Sequence, residues 1–462
     1  MLFAAASASA QDTPVELDPK VAELRDAALE SDFGYKLVES LTTELGPRLA
    51  GTDAEARARD WGVAKFKELG FENVRIEEFD IPVWIRGEEK AEIVSPYPQN
   101  LILTALGNSG ATPREGITAD VVYFEDFEAL SKAEPDDLKG KIAFVMHQMT
   151  RAQDGSGYGK YGLLRRRGPD IAAQKGAAAI IIKSIGTDRG RGPHTGGTNF
   201  SDGVDPIPSA ALSTSDARNL ERIMKLAKER DQSVQIKLTL TPRFLGIRKS
   251  GNVIGEIPGS DPDAGIIVVG GHLDSWDLGT GAIDDGAGCA ITAAAAKHVM
   301  DAGQPRRTIR VVWFGAEEIG LYGGKAYFEA HKDDPHVLAA ESDFGARRIW
   351  RFRATLPEAA SAVKDRLAKA LDPLGIMPHD APAGGGPDVG YLVDAGTPAV
   401  DLNQDGTDYF DFHHTPEDTL ERIDPEQMAQ NVAAWTAMLA VVANAPEDLT
   451  PDAKPDEPAE DE

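Results

Sequence analysis

The sequence predicts an α/β fold: one sheet sandwich of alternating strands and helices, interrupted by an inserted, mostly β domain. Three observations predict it. From Gly251 onward, apolar strand-like runs alternate with helical stretches, the pattern of a sheet with helices on its faces. Between about Gly110 and Pro242, short strand-like runs such as ADVVYF, KIAFVMH and AAAIIIKS alternate with Gly- and Pro-rich turns. Finally, the acid-rich segment GGHLDSWDLGTGAIDDGAG, Gly270 to Gly288, directly follows the apolar run Ile266 to Val269. That run reads as a buried strand, and open α/β sheets place their sites just past such strand ends.

The elements follow in order. The start, MLFAAASASAQD, has a short apolar part and a small-residue run that fits an A-x-A cleavage site before Gln11. Residues 1–10 are read as the remnant of a signal peptide, so a secreted or periplasmic protein is expected. Residues 19–70 read as helical. Asp53 to Gly70 is amphipathic, with Asp53 the expected N-cap and Gly70 the stop. Val74 to Trp84 alternates and reads as a strand. The body is expected to comprise residues 11–109 and 246–446, with the insertion at 110–245. Within the second part of the body, strands are expected at 265–271, Thr308 to Phe314, His336 to Ala340 and Thr397 to Asn403. Helices are expected at 286–301, after GAEE, near 357–371, and from Pro425 to Ala445. Residues 447–462 are acidic and Pro-containing without hydrophobic period, and are expected to be disordered.

Composition narrows the function. The 462 residues carry a net charge of −27, which disfavours nucleic acid and anionic membrane surfaces as partners. No apolar run reaches the length of a membrane span. The single cysteine, Cys289, excludes an intrachain disulfide and reads as a small buried residue. No convincing G-x-S-x-G segment supports a serine hydrolase.

Four strand ends carry candidate ligands: His272 and Asp284, then Glu317 and Glu318, then Asp343, then His413 and His414. One acid at a strand end is ordinarily a cap or a solvated loop residue. Recurrence after successive core strands is different, because parallel neighbours bring those ends to one sheet edge. A convergent set of His, Asp, Glu, Asp and His suits two zinc ions sharing a carboxylate. Of the adjacent pair Glu317 and Glu318, one can bind metal while the other moves a proton. His147 and His194 read as isolated polar residues, and Arg165 to Arg167 as a solvated or salt-bridged surface.

The motifs GGHLDSWDLGTGAIDDGAG, WFGAEEIGLYG, ESD and HHTPEDT occur in an order that resembles the di-zinc exopeptidases, the family of bacterial leucine-type aminopeptidases and carboxypeptidase Q. The segments KGKIAFV and AAQKGAAAIIIKS resemble a protease-associated domain, and LGPRLAGTDAEARARDWGVAKFKELGF resembles the family's opening helices. The resemblance covers nearly the whole chain apart from its two ends. It implies a three-layer α/β/α zinc-exopeptidase sandwich with an inserted protease-associated domain. It also implies two zinc ions per chain, one bound by His272 and Asp343, the other by Glu318 and His414, with Asp284 bridging them. Glu317 would be the general base. Asp274 would hold the His272 imidazole in its tautomer, and Asp418 would steady the last loop. His414 is taken as the ligand because Thr415 follows it. His413 stands where several relatives have a tyrosine that stabilises the tetrahedral intermediate. Asp277 and Asp285 are expected to be structural, and the Gly384 to Gly390 loop to shape the substrate pocket. The implied partner is a small peptide, either end of which remains open, and relatives include homodimers. Receptor-like members and single-zinc acyltransferases share the architecture, but the complete ligand set and the glutamate pair favour hydrolysis.

Overall fold

A computed structural model describes residues 16–451. The expected signal remnant and residues 452–462 of the tail lie outside the described residues. The first sheet has eight strands, in the order Glu72–Ile85, Arg243–Ile257, Thr308–Phe314, Ile266–His272, His336–Glu341, Ala399–Gln404, Ile349–Thr355 and Met377–Pro378. The four strands from Thr308–Phe314 to Ala399–Gln404 run parallel, so their C-terminal ends share one edge. These are the four strands whose ends carry the candidate ligands.

Helices cover both faces of this sheet. On one face, Ala287–Asp301 packs against Pro425–Asn444, Phe33–Glu44 and Pro19–Leu29. Pro425–Asn444 is buried almost all round from Met428 to Ala443, as its apolar composition requires. The other face is covered more thinly, by Tyr322–His331 and Gly390–Asp394. Along Ile266–His272, Ile267 and Val269 join the core of the first face and Val268 that of the second. Both faces are therefore dry, which explains why this strand is continuously apolar.

Helix Asp53–Leu69 ends as expected, on Gly70 in the left-handed conformation at φ 85°. Its N-cap is Thr52 rather than Asp53, the Thr52 side chain accepting from the Glu55 N–H. Asp53 is instead the first helical residue, where an acid favours the positive helix end.

The second sheet departs from the expected insertion. Its order is Gln99–Leu101, Glu89–Ser95, Gln235–Leu240, Ile117–Phe124, Ile142–Val145, Ala179–Lys183, Ser209–Leu212 and Leu103–Ala105. Residues 89–105, expected in the surrounding body, thus hydrogen-bond into this sheet. The return strand Arg243–Ile257 already belongs to the first sheet. The unit is also less β-rich than expected. Four of its strands, from Ile117–Phe124 to Ser209–Leu212, run parallel, and parallel neighbours need crossover connections. Helix Tyr158–Gln174 supplies one crossover, and helix Thr214–Glu229 leads from the last of these strands to Gln235–Leu240.

The chain enters and leaves this second unit on neighbouring strands. Glu72–Ile85 and Arg243–Ile257 pair antiparallel, with Ile85 opposite Arg243. The start of the expected disordered tail is also ordered: Leu449 is buried and Glu447 accepts from Arg366 Nη1 at 2.9 Å. No helix among the described residues is long and apolar enough to cross a membrane.

Candidate metal centre

The sheet edge gathers the expected ligands. His272 ends its strand, Asp284 lies on the following loop, Glu317 and Glu318 follow Phe314, and Asp343 follows Glu341. His413 and His414 come from the loop beyond Ala399–Gln404. His272 Nε2 lies 3.1 Å from Asp284 Oδ1 and 3.5 Å from Asp343 Oδ1. On the other side, His414 Nε2 lies 3.2 Å from Asp284 Oδ2 and 3.0 Å from Glu318 Oε2. The two oxygens of Asp284 therefore face different histidines. His413 stacks on His414 with ring centroids 3.5 Å apart, and its Nε2 lies 3.4 Å from Asp284 Oδ2.

The donors fit a cation. His272 Nδ1 lies 2.9 Å from the Asp274 carbonyl, which can only accept, so Nδ1 carries the proton. With Nδ1 protonated, a neutral ring would turn its Nε2 lone pair toward carboxylate oxygens, an arrangement that a cation between them satisfies. Asp284 Oδ2 and Glu318 Oε1 are buried without a hydrogen-bond donor. Such atoms are costly unless charge or coordination compensates them.

The surrounding residues hold this geometry. Asp274 meets the His272 ring through its main chain. Its carboxylate is 3.7 Å from His272 Nδ1, and the backbone carbonyl makes the hydrogen bond instead. The carboxylate oxygens accept from Glu317 N–H at 3.0 Å and Glu318 N–H at 3.4 Å. Asp274 thus aims both glutamates and, through its main chain, fixes the histidine. Asp285, although near His272 and Asp343, spends both oxygens on the N–H groups of His272 and Gly288, each at 3.0 Å. Asp277 pairs with Arg86 through both oxygens at 2.9 and 2.8 Å. Asp418 Oδ1 accepts from Ala282 and Ile283 N–H at 2.8 and 2.7 Å, tying the histidine loop to the Asp284 loop.

Glu317 faces the cavity but joins none of the converging ligand groups. Burial, followed by the Asp343 and Glu318 carboxylates, pushes its carboxyl well above the usual range against the opposing charge of His272. The cavity holds about 460 Å³ and lies between the two sheets. Pro387, from the Gly384 to Gly390 loop, is on its wall.

Three residues contribute that the sequence did not mark. Arg48 is fully buried, and its guanidinium donates to the carbonyls of Leu273, Gly46, Thr280 and Gly281 at 2.6 to 3.1 Å. It pins the loop between His272 and Asp284. Arg165, expected at a solvated surface, is 6% exposed and lines the cavity, with Nη1 3.2 Å from His414 Nδ1. His194, expected to be an ordinary polar residue, reaches the His413 carbonyl at 2.8 Å. Only Arg165 had a local signal, the triple arginine run, in which Arg167 alone is exposed.

Residues 252–439 match Peptidase family M28. Carboxypeptidase Q of Bos taurus is 34% identical over 90% of this chain and 86% of its own. The crystal structure of a peptidase M28 precursor from Shewanella amazonensis SB2B is 48% identical, covers 94% of this chain and 99% of its own, and superposes with a TM-score of 0.90. A zinc aminopeptidase from Bacillus subtilis shares the fold at 21% identity, covering 91% of this chain and 97% of its own, with a TM-score of 0.64. The chain belongs to peptidase family M28.

Proposed function

We propose that this peptidase is a di-zinc exopeptidase that cleaves small peptides at a free terminus, with Glu317 as general base. The observation that carries this reading is Asp284, whose oxygens face His272 and His414 from opposite sides. His272 and Asp343 would hold one ion, Glu318 and His414 the other, and Asp284 both. His414 is preferred to His413 because it reaches Glu318 as well as Asp284. Bound zinc supplies Lewis acidity at the scissile carbonyl and makes a water acidic enough to attack at neutral pH. Glu317 takes the proton of that water and passes it to the leaving amine.

The cavity also favours one end of the peptide. Arg165 and Arg166 line it, and neither forms an ion pair among the described residues, although acids outnumber cations by 27 in the chain. Arg165 Nε is buried without a partner. Guanidinium groups that face a cavity with hydrogen bonds only to neutral partners suit a carboxylate, so a free C-terminus is the end recognised. The second unit that supplies both arginines, read as a protease-associated domain, thereby shares in substrate binding. Export and a homodimer remain part of this reading.

The test is metal analysis combined with one substitution. The wild type should hold about two zinc ions, as a shared-carboxylate site requires. Glu317→Gln should keep them while turnover falls by about 10²–10⁴-fold. Near-normal turnover in Glu317→Gln would remove Glu317 from the mechanism.

A further inference from the structure

The His413–His414 turn depends on contacts from outside its own unit. His414 adopts φ 62°, a left-handed conformation that costs a residue with a side chain about 1–2 kcal/mol. Such a conformation persists only where its surroundings hold it. The carbonyls of both histidines are held by the second unit. His414 O accepts from Thr195 N–H at 3.0 Å. His413 O accepts from His194 Nδ1 at 2.8 Å.

His194 is itself built into place. It is 1% exposed. Its Nε2 lies 2.8 Å from Asp188 Oδ2, and its backbone N–H donates to Ser184 Oγ at 2.8 Å. Asp188 is braced in turn by the Thr214 hydroxyl, which donates to its Oδ1 at 2.8 Å. The ring packs against Gly186, where any Cβ would overlap it. The His413 carbonyl can only accept, so Nδ1 carries a proton and donates to it. The chain Thr214–Asp188–His194 thus ends on the backbone of the turn that delivers His414.

We propose that His194 is a positioning residue of the metal centre: the second unit, through His194 and Thr195, holds the His413–His414 turn in the conformation that presents His414 to the second ion. The inference rests on the two-ion reading above. Second-sphere hydrogen bonds normally act on the ligand side chain. Here the restraint acts on the ligand's backbone, and it comes from a different sheet.

Two variants of similar size separate the positioning bond from mere packing. Asn at position 194 keeps an N–H donor near the place of Nδ1, facing His413 O. Gln keeps one near the place of Nε2, facing Asp188, and leaves His413 O unpaired. Zinc binding is titrated on the intact chain, alongside the melting temperature of each metal-free variant. His194→Gln should weaken the second zinc about 10–100-fold, leave the first unchanged, and melt with His194→Asn when metal-free. His194→Asn should bind the second zinc close to wild type. Equal zinc affinities in the two variants would overturn the positioning role. A wild type that fails to take up a second zinc would instead overturn the two-ion reading.

Discussion

At the scale of single residues, the division of labour within Asp274 is the most instructive feature. Its carbonyl sets the His272 tautomer, and its carboxylate aims the main chain of Glu317 and Glu318. Asp274→Ala keeps the carbonyl and removes the carboxylate. It should therefore spare the ion held by His272 while lowering activity by about 10–100-fold. Zinc titration and steady-state kinetics on the one variant check both halves, and loss of both ions would contradict this assignment. The candidate ligands themselves were legible in the sequence because His, Asp and Glu recur after successive strands. Arg48, Arg165 and His194 were not, and the reason is physical. Their partners include backbone carbonyls of Leu273, Thr195 and His413, contributed by segments as many as 225 positions away. A carbonyl is the same in every residue and leaves no mark in a sequence.

At the scale of elements, the loop and helix that follow His272 show why small residues crowd there. A Cβ on Gly288 would overlap the Ser342 carbonyl and both oxygens of Asp285. A Cβ on Gly271 would overlap Asp285 and the main chain at Cys289. The helix thus starts almost in contact with the strand end, and Asp285 caps both. Gly288→Ala should cost about 3–5 kcal/mol, since neither the backbone oxygen nor the buried carboxylate can withdraw. Urea denaturation would measure it, and a loss below 1 kcal/mol would mean that the loop yields. Five of the eight strands of the first sheet were legible to within a few residues; Arg243–Ile257, Ile349–Thr355 and Met377–Pro378 were not marked. Nor was the crossover helix Tyr158–Gln174. It contains Gly159, Gly162, Gly168 and Pro169, which locally argue for turns. Tertiary packing overrides them: Leu164, Gly168 and Ala172 are buried.

At the scale of the whole molecule, the cavity has two unlike walls. The first unit contributes the carboxylates Asp284, Glu317, Glu318 and Asp343, and the second contributes Arg165 and Arg166. On the proposed reading, a short peptide between them would have its scissile bond on the acidic side and its terminal carboxylate on the cationic side. Amidating the C-terminus of a dipeptide should therefore lower kcat/KM by about 10–150-fold, the worth of one charged hydrogen bond. Acetylating the N-terminus should cost less. Paired blocked dipeptides measure both effects, and the reverse order would place the free amine at the arginines.

The pairing of Ile85 with Arg243 has a consequence for how such a molecule could arise and change. Two cross-strand neighbours can be joined by a two-residue hairpin turn, so by backbone geometry the segment between them is a cassette that could be cut out and the gap sealed. Chemistry restricts that freedom. The cassette brings Arg165, His194 and Thr195 to the first unit's His413–His414 loop. Exchanging it would retune which peptides are accepted only among cassettes that keep those three contacts. An ancestor without it would have needed another way to hold its last histidine.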